Sequence, residues 1–255
     1  MISASMNEPI AIPEVSKPGP WGLWATLGFS LAVMAVYSLV QGLVTFSLTE
    51  KYYPNGWRAL DPKNFPWMGY IFSLAEVVSV PLAAALVFLF ARLRRGFPVK
   101  DYLGLVRPAA RDLIKWLVIT AAAIVASDIF LYYFSSQVAD FMVNIYKTAR
   151  FWPLLTFVLI AAAPFFEEIF FRGFLFQGIR YSRLGPGGAV VFCALIWAVI
   201  HFQYDLYGMI TIFAFGIMLG WARFRSGSVY LPILMHAFIN LVALIETAMF
   251  VKMEG

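Results

Sequence analysis

Seven stretches of the chain are almost wholly apolar and approach the 20 or so residues that a helix needs to cross about 30 Å of hydrocarbon. They cover roughly residues 21–48, 67–91, 116–134, 152–176, 187–202, 206–221 and 229–251. The fifth and sixth are short and nearly continuous, and they meet near residues 203–205. Between the third and fourth, Phe130, Phe134, Phe141 and Ile145 form a helix-spaced apolar stripe with polar residues between them. That stripe predicts either an amphipathic helix lying in the membrane interface or an eighth span. The first twenty residues hold Pro9, Pro13, Pro18 and Pro20 and no long apolar run, which predicts a disordered tail. No basic segment leads into a short apolar run with a small-residue cleavage site, so no removable signal peptide is expected. The pattern predicts an all-α, polytopic membrane helix bundle of about seven to eight transmembrane helices. Its parts are a cytoplasmic tail (1–20), N-terminal helices with a basic loop (21–149) and a C-terminal helical core (150–255).

Composition agrees. Of 255 residues, 62% are hydrophobic and 13% charged, against about 45–50% and about 25% in ordinary globular domains. Most soluble folds are thereby excluded. A single cysteine, Cys193, excludes a disulfide framework or a thiolate zinc cluster, since both need several sulfurs. The net charge of +5 is informative only by position. With the N-terminus in the cytoplasm, twelve of the 19 Lys and Arg residues fall inside and six outside, and Arg172 lies within a span. This bias predicts N-in and, with seven spans, C-out. Arg92, Arg94 and Arg95 then read as a topology anchor at a helix end, with anionic-lipid binding second and no nucleic-acid role.

An ionisable side chain in the bilayer core costs about 2.5–3.5 kcal/mol on insertion scales. The fourth stretch carries three, in Glu167-Glu168-Ile-Phe-Phe-Arg172. Residues four apart share a helix face, so Glu168 and Arg172 are expected to form a structural ion pair, with the acid on the favoured N-terminal side. Glu167 points about 100° away, without that partner. It is either a neutral, hydrogen-bonded packing residue or a carboxylate withdrawn from water for general acid/base work. His201 lies 14 residues after Gly187 and Glu167 lies 13 before Arg180. At 1.5 Å per residue both sit about 20 Å deep, placed to meet. His236 and Asn240 are four apart and project from one face, as hydrogen-bond donors for an oxyanion or as interhelical polar glue. Pro232 is expected to leave the start of that helix irregular. These two histidines are the only ones in the chain.

Glu167, His201, His236 and Asn240 together are the candidate catalytic set for hydrolysing a peptide bond inside the membrane. Glu167 and His201 would activate water while His236 and Asn240 stabilise the oxyanion. No cofactor is expected. Zinc is the alternative, with Glu167, His201 and His236 as ligands, although no His-Glu-x-x-His occurs. Glu76, Asp128 and Glu246 have no motif around them and read as packing or boundary residues. Gly216 and Gly220 form a small-residue packing pattern.

The segments Pro164-Phe-Phe-Glu167-Glu168-Ile-Phe-Phe-Arg172-Gly173, Trp197-Ala-Val-Ile-His201, and Gly220 through Pro232 to His236-Ala-Phe-Ile-Asn240 resemble, in that order, the motifs of the CPBP family. This is the CAAX protease and bacteriocin-processing group, which includes the type II CAAX prenyl endopeptidases. The resemblance covers residues 150–245, with Asp101-Tyr-Leu-Gly-Leu105 as a weaker upstream match. It implies a polytopic intramembrane protease working near the cytoplasmic side, with Glu167 and His201 activating water and His236 and Asn240 as the oxyanion pair. Trp197 stands where that motif usually begins with Phe, a change expected to alter pocket shape more than chemistry. The family has also been described as metal-dependent.

The implied substrates are prenylated C-termini or bacteriocin-like or signalling peptides, and the implied partners are the lipid bilayer and a membrane-bound peptide or lipidated protein. A multi-pass location in the cell inner (plasma) membrane is expected. Two other readings are a non-catalytic bacteriocin self-immunity or scaffolding protein, and a proton-coupled transporter. The latter predicts paired repeats, whereas the motif residues all fall in the second half of the chain.

Overall fold

The computed structural model describes residues 19–52, 66–134 and 138–254, in which nine helices and no strand occur. The proline-rich tail up to residue 18, and the loop carrying Arg58 and Lys63, lie outside the described residues. The helices are α1 (Leu23–Tyr52), α2 (Met68–Leu93), α3 (Val99–Leu103), α4 (Ala110–Phe134), α5 (Val138–Lys147), α6 (Trp152–Arg180), α7 (Gly185–Val199), α8 (Leu206–Ser226) and α9 (Tyr230–Glu254). Six of them, α1, α2, α4, α6, α8 and α9, are long and apolar enough to span a membrane. The chain is an all-α membrane bundle.

Two expectations are refined. The fifth apolar stretch forms α7, whose 15 residues rise only about 22 Å, short of a full crossing. The aromatic stripe is split: Phe130 and Phe134 end α4, while Phe141 and Ile145 belong to the ten-residue α5. At about 15 Å, α5 is no eighth span, and it is strongly amphipathic, as an interfacial helix is. It docks at the start of α2, where a Cβ on Gly69 would collide with the Ile145 carbonyl oxygen.

The most buried span is α6, which packs on α1, α2, α7, α8 and α9. The Gly216–Gly220 pattern seats α8 on α7: added Cβ atoms would meet Ala194 at 2.8 Å and Val190 at 3.1 Å. Gly178 does the same for α6 against Thr26 of α1. The short α3 ends at Gly104, whose φ of +71° is a left-handed helix stop that glycine adopts without a Cβ penalty. Its Tyr102 and Leu103 are fully buried, and the Tyr102 ring stacks on Phe174 at 5.4 Å. The Gly104 carbonyl accepts from the Val229 amide at 2.8 Å, and Ser228 donates to the Val106 carbonyl. The segment Asp101–Leu105 thus braces α6 and the α8–α9 turn together.

Candidate active site

Glu167 and Glu168 close an α-helical turn, Ala163–Glu168, that lies between two π-helical stretches of α6, Val158–Ala162 and Ile169–Leu175. Such widened turns are rare and concentrate at functional positions. The upstream one has a local cause. The Ala163 amide bonds to the Val158 carbonyl five residues back, and the next donor in that register is residue 164, a proline without an N–H. The Leu159 carbonyl is therefore free, and Asn240 Nδ2 donates to it at 2.8 Å.

The expected ion pair is present. Arg172 Nη1 donates to Glu168 Oε1 at 2.9 Å, with both side chains fully buried, so the pair brings no net charge into the core. Arg172 Nη2 also donates to the Gly216 carbonyl at 3.2 Å, and its own carbonyl accepts from Arg223 Nε at 3.0 Å. His236 Nδ1 lies 3.0 Å from the same Glu168 oxygen. A carboxylate held by arginine accepts, so the His236 Nδ1 carries the proton and Nε2 faces away from the pair.

Trp197 joins these groups to Glu167. Its Nε1–H donates to Glu167 Oε2 at 2.5 Å, and its backbone carbonyl lies 2.7 Å from His201 Nδ1. A carbonyl only accepts, so in this contact His201 Nδ1 is the donor and Nε2 is the free acceptor of the neutral ring. The Trp197 ring meets His201 edge-on at 5.3 Å and His236 edge-on at 5.1 Å, and the Arg172 guanidinium lies 4.6 Å from its centre. Among the described residues, Glu167 Oε1, His201 Nε2 and His236 Nε2 have no hydrogen-bond partner.

Glu167, His201 and His236 are thus gathered around one indole, while Asn240, one turn beyond His236, is tied to Leu159. Glu167 accepts from the indole N–H. Three expectations change. Trp197 is the centre of the cluster, a role that an indole at a motif position does not by itself announce. His201 lies in the turn after α7 rather than within the helix. Pro232 falls in the first turn of α9, where its missing N–H breaks no helical bond. The preceding Ser228 and Val229 are fully buried, bonded to the carbonyls of Val106 and Gly104. Cys193 is a buried free thiol.

Among the described residues, no three His, Cys, Asp or Glu side chains converge closely enough to hold a metal ion. Glu167, His201 and His236 are not grouped as three metal ligands in this arrangement, and Glu168 is held by Arg172 and His236. Of the other acidic residues in spans, Glu76 accepts from Tyr37 and Gln41, and Asp128 of α4 lies beside Glu246 of α9.

A family model described as type II CAAX prenyl endopeptidase Rce1-like matches residues 149–242. No curated protein and no solved structure matches the chain. The matched stretch runs from the start of α6 into α9 and contains Glu167, Glu168, Arg172, Trp197, His201, His236 and Asn240. Residues 149–242, which carry all of these side chains, are thus similar to the Rce1-like type II CAAX prenyl endopeptidases.

Proposed function

We propose that the protein hydrolyses a peptide bond of a membrane-associated protein or peptide, using Glu167 and His201 to activate water. The observation that supports this most directly is the double tether at Trp197. Its indole N–H fixes one oxygen of Glu167 and its carbonyl fixes one nitrogen of His201, which leaves Oε1 and Nε2 as free acceptors beside the same ring. A water held by these two loses a proton to Glu167 as its oxygen attacks the carbonyl carbon of the scissile bond. The oxyanion is met by His236 Nε2 and by the second N–H of Asn240. Because His236 Nδ1 already donates to Glu168, this role requires the imidazolium form. Collapse breaks the C–N bond, and the proton on Glu167 passes to the leaving amine. No step is routed through a metal.

Substrates with a prenylated C-terminus and unprenylated membrane peptides both suit a site of this kind, and the Lys and Arg bias supports a location in the cell inner membrane with the N-terminus in the cytoplasm. The test uses purified protein in liposomes with a farnesylated CAAX peptide and its unprenylated twin, beside a comparison of membrane peptides from cells carrying wild-type protein or Glu167→Gln. The expected result is a cleavage product that Glu167→Gln and His201→Ala abolish while remaining folded, and that survives exhaustive chelation. Identical peptides from wild type and Glu167→Gln would leave the scaffolding or immunity reading in its place.

A further inference from the structure

One buried cation has no counter-charge. Arg223, in the last turn of α8, is 2% exposed. Its Nε donates to the Arg172 carbonyl at 3.0 Å, which fixes the guanidinium where α8 meets α6. The end of α3 lies directly against it, since a Cβ on Gly104 would collide with Nη2. Nη1 and Nη2 themselves have no hydrogen-bond partner among the described residues, and neither is sealed from the surface.

A second arginine adjoins it. Arg180 ends α6, and its guanidinium carbon lies 5.8 Å from the centre of the fully buried Phe176 ring, as does that of Arg223. The two guanidinium groups therefore flank one ring and are no farther apart than twice that distance. Arg180 is half-buried and also lies 5.0 Å from the Tyr181 ring. Among the described residues no carboxylate pairs with either arginine. Arg172 has Glu168, whereas Arg223 has only a carbonyl.

A guanidinium withdrawn from water without an anion is a costly arrangement. Its terminal nitrogens form a planar fork that matches two oxygens of a phosphate or a carboxylate. A carboxylate would spend both oxygens on one fork, while a phosphate keeps a further oxygen for a second arginine. The surroundings also favour phosphate. This end of the bundle carries the Lys and Arg excess, where lipid head groups lie, and Tyr181 (60% exposed) and Leu184 (51% exposed) follow Arg180 as an aromatic and aliphatic rim.

We infer that Arg223 and Arg180 form a site for one phosphate group. Arg223 is the fixed fork at its floor, Arg180 closes on the ligand from the rim, and Phe176 separates the two stems. The phosphate comes from the head group of an anionic lipid or from solution as inorganic phosphate, the same chemistry from two sources. The site does not depend on the proposed function, and its test needs no activity.

The whole protein is stripped of lipid in detergent and given phosphatidylglycerol, phosphatidylcholine or inorganic phosphate singly. Binding is read by native mass spectrometry and thermal melting. One phosphatidylglycerol per chain is expected to be retained in preference to phosphatidylcholine and to raise Tm. Inorganic phosphate that fails to displace it marks the lipid as the source; inorganic phosphate that raises Tm and displaces it marks the soluble anion. Wild type that binds neither overturns the site. Arg180→Gln removes a charged donor from a side chain with no hydrogen bond to the protein, so the fold is kept and affinity is expected to fall about tenfold. Arg223→Lys keeps the charge, loses the fork and is expected to bind as weakly. Arg95→Gln, a basic residue outside the site, is expected to bind like wild type. Undiminished binding by Arg180→Gln overturns the assignment even where Arg223→Lys does not fold. Equal weakening by Arg95→Gln overturns it too, because the attraction is then that of a diffuse basic surface.

Discussion

At the scale of single residues, Trp197 carries more than its motif position suggests. Its indole N–H, carbonyl and ring engage Glu167, His201, and His236 with Arg172, respectively. Trp197→Phe keeps most of the ring and the carbonyl and removes only the N–H. A hydrogen bond to a charged group contributes about 1.5–3 kcal/mol, so a loss of about 10- to 100-fold in kcat/KM is expected, with a lowered melting temperature because the indole is buried. Arg172→Met acts differently, because it strands a fully buried Glu168 beside His236. A loss of about 3–5 kcal/mol is expected, read as a lowered Tm in detergent. Arg172→Lys restores only part of it, since one ammonium cannot replace the bonds to both Glu168 and the Gly216 carbonyl while lying over the indole. The Glu168–Arg172 pair was legible in the sequence because an i, i+4 spacing is a property of one helix. The hub at Trp197 was not, because it depends on how α6, α7 and α9 meet.

At the scale of elements, the departure of α6 from a regular helix decides where its side chains point. Counting along the sequence assumes 100° per residue throughout. The π-helical stretches on either side of Glu167 and Glu168 alter that count, and only the upstream one is signalled beforehand, by Pro164. Proline in this register leaves the Leu159 carbonyl to Asn240, so one sequence feature fixes a contact 81 residues away. Pro164→Ala supplies an amide that competes for that carbonyl. Activity is expected to fall while Tm holds or rises, as measured by peptide cleavage and thermal melting. Asn240→Ala leaves the carbonyl unpaired and is expected to cost about 1–3 kcal/mol of stability. The element pairings α7–α8 and α6–α1 were legible only in part: Gly216 and Gly220 announced a close contact, but nothing in the chain named Ala194 and Val190 as its other side.

At the scale of the whole molecule, hydropathy located the spans to within a few residues at most ends, because each is a continuous apolar run. It placed α7 among them only by composition, since length is what sets α7 apart. Helices α7 and α8 form the most extensive helix pair of the bundle together with α1 and α2, and an α7–α8 hairpin returns the chain to the side from which it came. The Lys and Arg bias then predicts residues 92–115 inside and Lys252 outside. With Cys193 replaced by Ser, cysteines introduced at Arg111 and at Lys252 are expected to react with an impermeant maleimide from opposite sides of sealed vesicles.

The shortness of α7 also ties the protein to the lipid around it. The side of α7 away from the bundle exposes Val191, Leu195 and Val199, and Phe202 continues that surface into the turn. A helix of about 22 Å against about 30 Å of hydrocarbon is a mismatch that the bilayer accommodates by thinning. Where it thins, the turn that holds His201 comes nearer to the aqueous phase, from which the water of the proposed hydrolysis would come. Cleavage is therefore expected to be faster in short-chain than in long-chain phosphatidylcholine liposomes, and lengthening α7 by one turn ahead of Trp197 is expected to abolish the preference along with the register of the site. Bilayer thickness would thus act as a control on hydrolysis, set by about seven or eight ångströms of missing helix.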